Sequence, residues 1–195
     1  MNKLESLLKF TRFLHKFQQV KRSIYVFGED RRENDAEHSY QLAMTAWYLL
    51  ENDDINLRRD LVLEYALVHD LVEVYAGDTA FHQRNEAPGE KTARETESLR
   101  KIEEEFPELS NIHQRIKEYE AKKNEESRFV YALDKLIPAI NIYLNNGREW
   151  QEDEVTLKMI LDYKTDKVSE SSVIEKYLFT LVDILKNDEA KFFNS

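Results

Sequence analysis

The strongest candidates for chemistry lie in an apolar run, LVLEYALVHDLVEVYA, at residues 61–76. The run carries His69, Asp70 and Glu73, at spacings that place the three side chains on one flank of a helix. A helix that is apolar on nearly every side is expected to be buried, and buried carboxylates require a compensating partner. Because the run contains no Lys or Arg, the sequence favours a divalent cation with imidazole and carboxylate ligands.

The five histidines of the chain differ in their surroundings. His69 taken alone would favour a hydrogen-bonded core histidine, but three polar groups in one buried helix favour a metal. His15 and His113 lie in charged helical segments and are expected to be solvated. His82 lies in an irregular stretch, where a role facing a pocket stays open.

Two further segments offer ligands for the same cation. His38 lies near the start of a predicted helix that is apolar on most sides, and Asp134 lies in an apolar run at residues 129–138. Pro138 follows Asp134 by four residues, where its ring would remove a helical hydrogen bond from the Asp134 carbonyl group. Either a kink that orients Asp134 or a simple end of the helix would accommodate this proline.

Helical periodicity predicts the elements that carry these residues. The predicted helices span residues 4–27 (as one helix or two), 36–51, 58–76, 91–106, 108–122, 125–146, 153–163 and 172–187. Asn34 or Asp35 suits the N-cap of the second of them, and Gly77 suits the position after the third. The fold is therefore predicted to be all-α. We expect one domain over residues 1–195, with a motif core at about 20–145 and C-terminal helices at 153–190.

Composition and charge narrow the class of protein. The 195-residue chain has no cysteine, which excludes disulfide frameworks, thiolate zinc sites, iron–sulfur clusters and a cysteine nucleophile. Its four glycines and three prolines argue against a strand-rich fold. The net charge of −10 disfavours a nucleic-acid partner, and no apolar run is long enough to predict a membrane span. The N-terminal segment is interpreted as amphipathic rather than as a signal peptide, so the predicted location is the cytoplasm.

The order of the candidate ligands resembles a known family signature. His38, then His69-Asp70, then Asp134 resemble the H…HD…D signature of the HD superfamily of metal-dependent phosphohydrolases. The resemblance implies an all-α HD-domain helical bundle with one divalent metal, held by His38, His69, Asp70 and Asp134. Mixed histidine and carboxylate ligands suit Mn²⁺, Co²⁺, Fe²⁺, Ni²⁺ or Zn²⁺ better than Mg²⁺.

Longer matches around the signature resemble one branch of that superfamily, the 5′-deoxynucleotidases. ENDAEHS at 33–39 resembles the ES-V-AEHS stretch of that branch, and HDLVEVYAGD at 69–78 resembles its HDxxExxxGD stretch. EYE at 118–120, followed by ALDK at 132–135, resembles its EYE…DLDK stretch. The resemblance covers most of residues 20–143. It implies a homodimer that releases phosphate from deoxyribonucleoside 5′-monophosphates.

The resemblance also implies roles for acidic and basic residues. Glu73 and Asp78 match acidic positions that serve catalysis in the family. Glu73 would orient or deprotonate the attacking water, and Asp78 would either protonate the leaving 5′ oxygen or hold the sugar. Arg22 lies near the position of the family's phosphate-binding arginine, with Arg31 and Arg32 as rivals.

Two alternatives remain open at the level of sequence. The first is another HD reaction, on a cyclic nucleotide, guanosine tetraphosphate or a nucleoside triphosphate. The few histidines and the few cations near the motifs disfavour it. The second is a helical interaction protein whose metal stabilises the core without turnover. The presence of Glu73 and Asp78 disfavours this second alternative, because a structural site would not require them.

Overall fold

The computed structural model describes residues 2–77 and 89–194, which form helices and one small antiparallel sheet. The strands are β1 (Lys21–Tyr25) and β2 (Arg32–Asn34). The helices are α1 (Lys3–Phe17), α2 (Asp35–Asn52), α3 (Arg59–Val68), α4 (Glu73–Ala76), α5 (Glu90–Glu105), α6 (Ser110–Glu120), α7 (Glu125–Leu144), α8 (Arg148–Glu152), α9 (Leu157–Val168), α10 (Ser172–Asn187) and α11 (Glu189–Phe192). The prediction of a helical fold is confirmed. Within the two described ranges, no helix combines the length and apolar character that crossing a bilayer requires.

The hairpin replaces the end of a predicted helix. Helical periodicity predicted helix up to residue 27, but α1 ends at Phe17, so that prediction is wrong. In β1 the side chain of Ile24 is buried, and Lys21 lies opposite Asn34 of β2. Strand formation depends on such cross-strand partners, which the periodicity of one segment does not register. The hairpin leads directly into α2, whose N-cap is Asn34, as predicted.

The predicted helix at residues 58–76 is broken where the candidate ligands lie. α3 ends at Val68 and α4 begins at Glu73, so the prediction of one continuous helix is wrong. The Nδ1 atom of His69 lies 3.0 Å from the carbonyl oxygen of Ala66. In a continued helix that carbonyl would accept the N–H of Asp70, so the His69 side chain competes with helix propagation. The break re-aims His69 and Asp70 relative to the helix before them.

Helix α7 runs through Pro138 without ending there. Its N-cap is Asn124, whose side chain accepts the backbone N–H of Ser127, and the helix continues to Leu144. The alternative in which Pro138 ends the helix is therefore wrong. α7 packs against α2, α3, α6, α9 and α10, so Asp134 lies within a surround of helices and is 2% exposed.

The buried side chains form two clusters that meet at the broken helix. The larger cluster joins residues of α2, α3, α7, α9 and α10, and includes Tyr65 and Ala66 of α3. The smaller cluster packs α1 against α5 and α6, and includes Val68, Leu71 and Val72. Helix α3 thus contributes to both clusters, since Tyr65 and Ala66 pack in the larger one and Val68 packs in the smaller one. The His69-Asp70 pair follows directly, between Val68 and Leu71 of the smaller cluster.

Candidate metal centre

Three separate segments bring four predicted ligands together. His38 comes from α2, His69 and Asp70 follow α3, and Asp134 comes from α7. One nitrogen or oxygen atom from each side chain lies within 4.8 Å of the others. His38 Nε2 is 3.0 Å from an oxygen of Asp134, and His69 Nε2 is 2.8 Å from an oxygen of Asp70. The group therefore converges on one point in the interior.

The hydrogen bond of His69 defines how its ring can act as a ligand. Its Nδ1 faces the Ala66 carbonyl, which can only accept, so Nδ1 carries the proton of the neutral ring. In that neutral form Nε2 presents a lone pair to a cation. Without a metal, burial alone would lower the pKa of His69, but Asp70 at 2.8 Å favours a proton on Nε2 and raises that pKa. Two electron-rich atoms 2.8 Å apart need a cation or a proton between them. Metal-binding histidines commonly donate their other N–H to a carbonyl in this way, so the four residues fit a divalent ion.

Arg22 of β1 forms a second layer behind the four ligands. Its Nη1 lies 2.7 Å from Asp70 and 3.2 Å from Asp35, and its Nε lies 3.3 Å from Glu33. Glu33 in turn lies 3.5 Å from His38 Nδ1. The guanidinium group thus neutralises buried carboxylates that flank the cluster, a role that sequence reasoning did not assign to Arg22. No signal in the sequence indicated this role, because it depends on a hairpin that carries Arg22 and Glu33 on its two strands and that helical periodicity did not predict.

The local charges hold the cluster acids ionised. Burial alone would raise the pKa of Asp70, but His69 and Arg22 hold it well below its usual range. Burial acts on the pKa of Asp134 in the same sense, and Lys135 and His38 lower that pKa further than burial raises it. Both carboxylates are therefore negatively charged near neutral pH and available to a cation.

The other predicted site residues fall into different places. Glu73 is buried at the start of α4, where Asp35, Asp70 and Glu73 offer oxygens within 4.8 Å of one another. Asp78 lies outside the described residues. Arg31 is half exposed and pairs with Glu29 and Glu37, and Arg32 stacks 3.6 Å above the ring of Tyr25.

The histidines outside the cluster give a mixed result. His15 is exposed on α1, as predicted. His113 of α6 is buried, so the prediction that it is solvated is wrong. α6 also places Ile116 in the smaller apolar cluster. The charged residues around His113 in the sequence did not indicate which face of the helix packs against the core. His82 lies outside the described residues.

A cavity of about 250 Å³ opens beside His69 and Asp70. Its described lining adds lysines, tyrosines and two carboxylates to these two residues, namely Lys91, Lys122, Lys135, Lys167, Tyr119, Tyr131, Tyr163, Glu95 and Glu120. Burial, followed by the charge of Glu95, raises the pKa of Glu120 to about 7. The lysines were missed because they come from separate segments of the chain. The only advance signal was Lys135, which follows Asp134 in the ALDK match.

Comparisons with known proteins identify a family and relatives of this chain. The model of a family described as HD domain matches residues 14–175. The 5′-deoxynucleotidase HDDC2 of Mus musculus is 33% identical over 132 residues, which is 66% of this chain and 64% of that protein. The Homo sapiens HDDC2 is 32% identical, over 67% of this chain and 63% of that protein. The chain thus spans a little under two thirds of the length of these relatives.

Solved structures extend the likeness to nearly the whole chain. A crystal structure from Magnetospirillum magnetotacticum, described as a "Predicted metal-dependent phosphohydrolase", has a TM-score of 0.80 and 28% identity. It covers 95% of this chain and 96% of the other. A conserved hypothetical protein from Pyrococcus furiosus has a TM-score of 0.63 at 20% identity, over 92% of this chain and 99% of the other, and supports the fold alone.

Proposed function

From the premise that this chain belongs to the HD domain family, we propose that it is a metal-dependent phosphomonoester hydrolase. Its substrates would be (deoxy)ribonucleoside 5′-monophosphates, from which it releases phosphate. The observation that carries the proposal is the buried convergence of His38, His69, Asp70 and Asp134 beside a cavity. The relatives named as 5′-deoxynucleotidases support the choice of substrate. The proposal includes that residues 1–195 form one domain.

The four converging side chains would hold one divalent ion. Two imidazole nitrogens and two carboxylates favour Mn²⁺, Co²⁺, Fe²⁺, Ni²⁺ or Zn²⁺ over Mg²⁺, which prefers oxygen ligands alone. The chemistry that such an ion supplies when bound is charge neutralisation and activation of water. The lone pair of His69 Nε2 supports this assignment, because its other ring nitrogen is fixed by Ala66.

The acids beside the ligands would move the protons. In the reaction a water oxygen bonds to phosphorus as the bond from phosphorus to the 5′ oxygen breaks. Glu73, buried next to Asp70, would orient the water and accept its proton. Asp78 follows α4 by two residues and would either protonate the leaving 5′ oxygen or hold the sugar.

The two arginines proposed for phosphate binding differ in support. Arg22 lies against Asp70, so it stays close to the reacting centre. Arg31 is engaged by Glu29 and Glu37 at the surface, which argues against a role in the site.

Assembly and location complete the proposal. A homodimer is supported by one face of α2, where Tyr40, Met44, Trp47 and Tyr48 are exposed at helical spacing. Light scattering coupled to size-exclusion chromatography tests this directly, and a monomer mass would contradict it. The cytoplasmic location stays a prediction that cell fractionation can check.

The decisive experiment is an assay of phosphate release. Chelator-stripped protein is given Mn²⁺, Co²⁺ or Mg²⁺ and tested on a panel of deoxy and ribo 5′-monophosphates. We expect metal-dependent release from the deoxy set, lost in Glu73→Gln. Silence across the panel with metal bound would overturn the proposal and favour another phosphoester or a non-catalytic metal-binding protein.

A further inference from the structure

Lysine side chains from separate helices converge on the cavity beside the ligand cluster. Lys91 comes from the first turn of α5, and Lys135 comes from α7, directly after the candidate ligand Asp134. In sequence these two residues are 44 positions apart (135 − 91) and belong to different matches or to none. The tertiary packing of the helices therefore brings these two lysines to the same cavity.

The Lys135 ammonium group lies at the edge of the ligand cluster. Its Nζ lies 2.5 Å from an oxygen of Asp134, and about a quarter of its side chain is exposed. A lysine side chain is protonated at neutral pH, so its ammonium group brings a positive charge to the point where the cavity meets the ligands.

Lys91 brings a second charge to the same cavity. Its Nζ lies 3.1 Å from Glu95, which also lines the cavity. Burial and the charge of Lys135 lower the pKa of Lys91, while Glu95 and Glu73 raise it more. Both ammonium groups line the same cavity, where two like charges repel each other. An anion placed between them would relieve that repulsion.

Arg22, the arginine that contacts the ligand cluster, is already paired with carboxylates. The Arg22 guanidinium group contacts Asp35, Asp70 and Glu33, so carboxylates of the protein neutralise much of its charge. A phosphate monoester carries up to two negative charges and requires cationic donors in addition to a metal. Lysine can supply such a donor, because its ammonium group is a compact charge on a flexible side chain that can reach the phosphate oxygens.

We propose that Lys91 and Lys135 bind the phosphate group of the substrate. The inference rests on the proposed function, which it deepens by naming the cations that meet the phosphate. Lys135 is shared between Asp134 and the cavity, so a divalent ion that takes Asp134 would leave Lys135 for the phosphate. Lys91 would approach from the α5 side, exchanging Glu95 for a phosphate oxygen.

The test is calorimetric titration of inorganic phosphate into protein saturated with Mn²⁺. The variants are Lys91→Gln and Lys135→Gln, with Lys135→Arg as the charge-retaining form of the second. The matched control is Lys101→Gln, on the same helix as Lys91 but half exposed and paired at 3.9 Å with Glu97. The Kd for Mn²⁺ is measured first on each variant, so that phosphate is always titrated at saturating metal.

We expect each glutamine variant to raise the phosphate Kd about tenfold or more, because each loses one charged hydrogen bond. Lys101→Gln should stay within about twofold of wild type, and Lys135→Arg should bind phosphate more tightly than Lys135→Gln. An unchanged phosphate Kd in both glutamine variants would overturn the inference, as would a wild type that binds no phosphate. If Lys135→Gln does not fold, as near-ultraviolet circular dichroism reports, Lys91→Gln alone decides.

Failure of the inference and failure of the proposed function give different results. Phosphate release from deoxynucleotides with a lysine-independent phosphate Kd overturns the inference alone. Lysine-dependent phosphate binding without release from any nucleotide supports the lysine assignment and overturns the nucleotidase function.

Discussion

The Nη1 atom of Arg22 lies 2.7 Å from an oxygen of Asp70, the same oxygen that lies 2.8 Å from His69 Nε2. One carboxylate is thus shared between a permanent cation and a candidate ligand nitrogen. Because Nη1 also reaches Asp35, the arginine holds together acids that would otherwise repel. The ligand cluster is therefore preorganised by a cation on the hairpin before any metal binds.

Replacing Arg22 by Met tests this preorganisation. The metal-free variant leaves buried carboxylates without their cation, and we expect the free energy of unfolding to fall by about 3–5 kcal/mol. Urea denaturation of the metal-free protein measures it. The control is Arg100→Met, whose partners Glu97 and Glu104 lie at the surface, where ion pairs contribute about 0–1 kcal/mol. Equal losses in the two variants would contradict the account.

Removal of His69 tests the ligand assignment. We expect His69→Ala to weaken Mn²⁺ binding by more than about 100-fold, because losing a ligand costs more than losing one of its outer partners. Calorimetry or competition with a chelating dye measures the Kd. His15→Ala, on the exposed surface of α1, should bind as wild type does. A His69→Ala Kd within a few-fold of wild type would place the metal elsewhere.

The buried lysine of α9 predicts an alkaline pH dependence of stability. Lys164 is 6% exposed, its Nζ donates to the carbonyl oxygen of Lys135, and burial lowers its pKa from 10.5 to about 8. Between these two pKa values the unfolded chain binds more protons than the folded one, so this group adds stability as pH rises. The free energy of unfolding of wild type relative to Lys164→Met should therefore rise by about 2–3 kcal/mol from pH 8 to 10.5.

Denaturation at several pH values measures that difference. Lys158→Met is the control, since Lys158 lies on the same helix with 82% of its side chain exposed. Its difference from wild type should stay flat with pH. A flat difference for Lys164→Met as well would show that the burial of Lys164 does not perturb its ionisation.

Two glycines with nearly the same backbone φ allow the cost of backbone strain to be measured apart from the cost of a steric clash. Gly147 and Gly28 have φ of +76° and +75°. A Cβ at Gly147 would lie 2.5 Å from the backbone oxygen of Phe192, whereas a Cβ at Gly28 would meet nothing within 4 Å. We expect Gly28→Ala to cost about 1 kcal/mol of stability and Gly147→Ala about 1–3 kcal/mol more, measured by thermal denaturation. Equal costs would mean that the segment containing Phe192 yields without penalty.

The sequence identifies the residues that converge in the cluster better than it predicts the elements that carry them. His38, His69, Asp70 and Asp134 could be chosen because charged groups in apolar helices require compensation, and the fold does bring them together. The continuous helix at 58–76 was wrong because the side chain of His69 takes the Ala66 carbonyl, a contact that periodicity cannot represent.

The residues that line the cavity could not be predicted from the sequence for a related reason. Lys91 and Lys135 meet through the packing of separate helices, and each alone resembles an ordinary surface lysine. Arg22 was noticed, but its place among Asp35, Asp70 and Glu33 depends on a hairpin that helical periodicity did not predict. Long-range contacts of this kind are set by tertiary structure rather than by local sequence.

The most direct test of the central claim is a titration of activity with metal. Chelator-stripped protein receives increasing Mn²⁺ while phosphate release from a deoxyribonucleoside 5′-monophosphate is followed. Asp134→Asn is run beside it, with Asp162→Asn on α9 as the exposed control. We predict that release rises with Mn²⁺ and levels off at one ion per chain in wild type and the control, and is abolished in Asp134→Asn. Release that is independent of metal, or that survives in Asp134→Asn, would contradict the account.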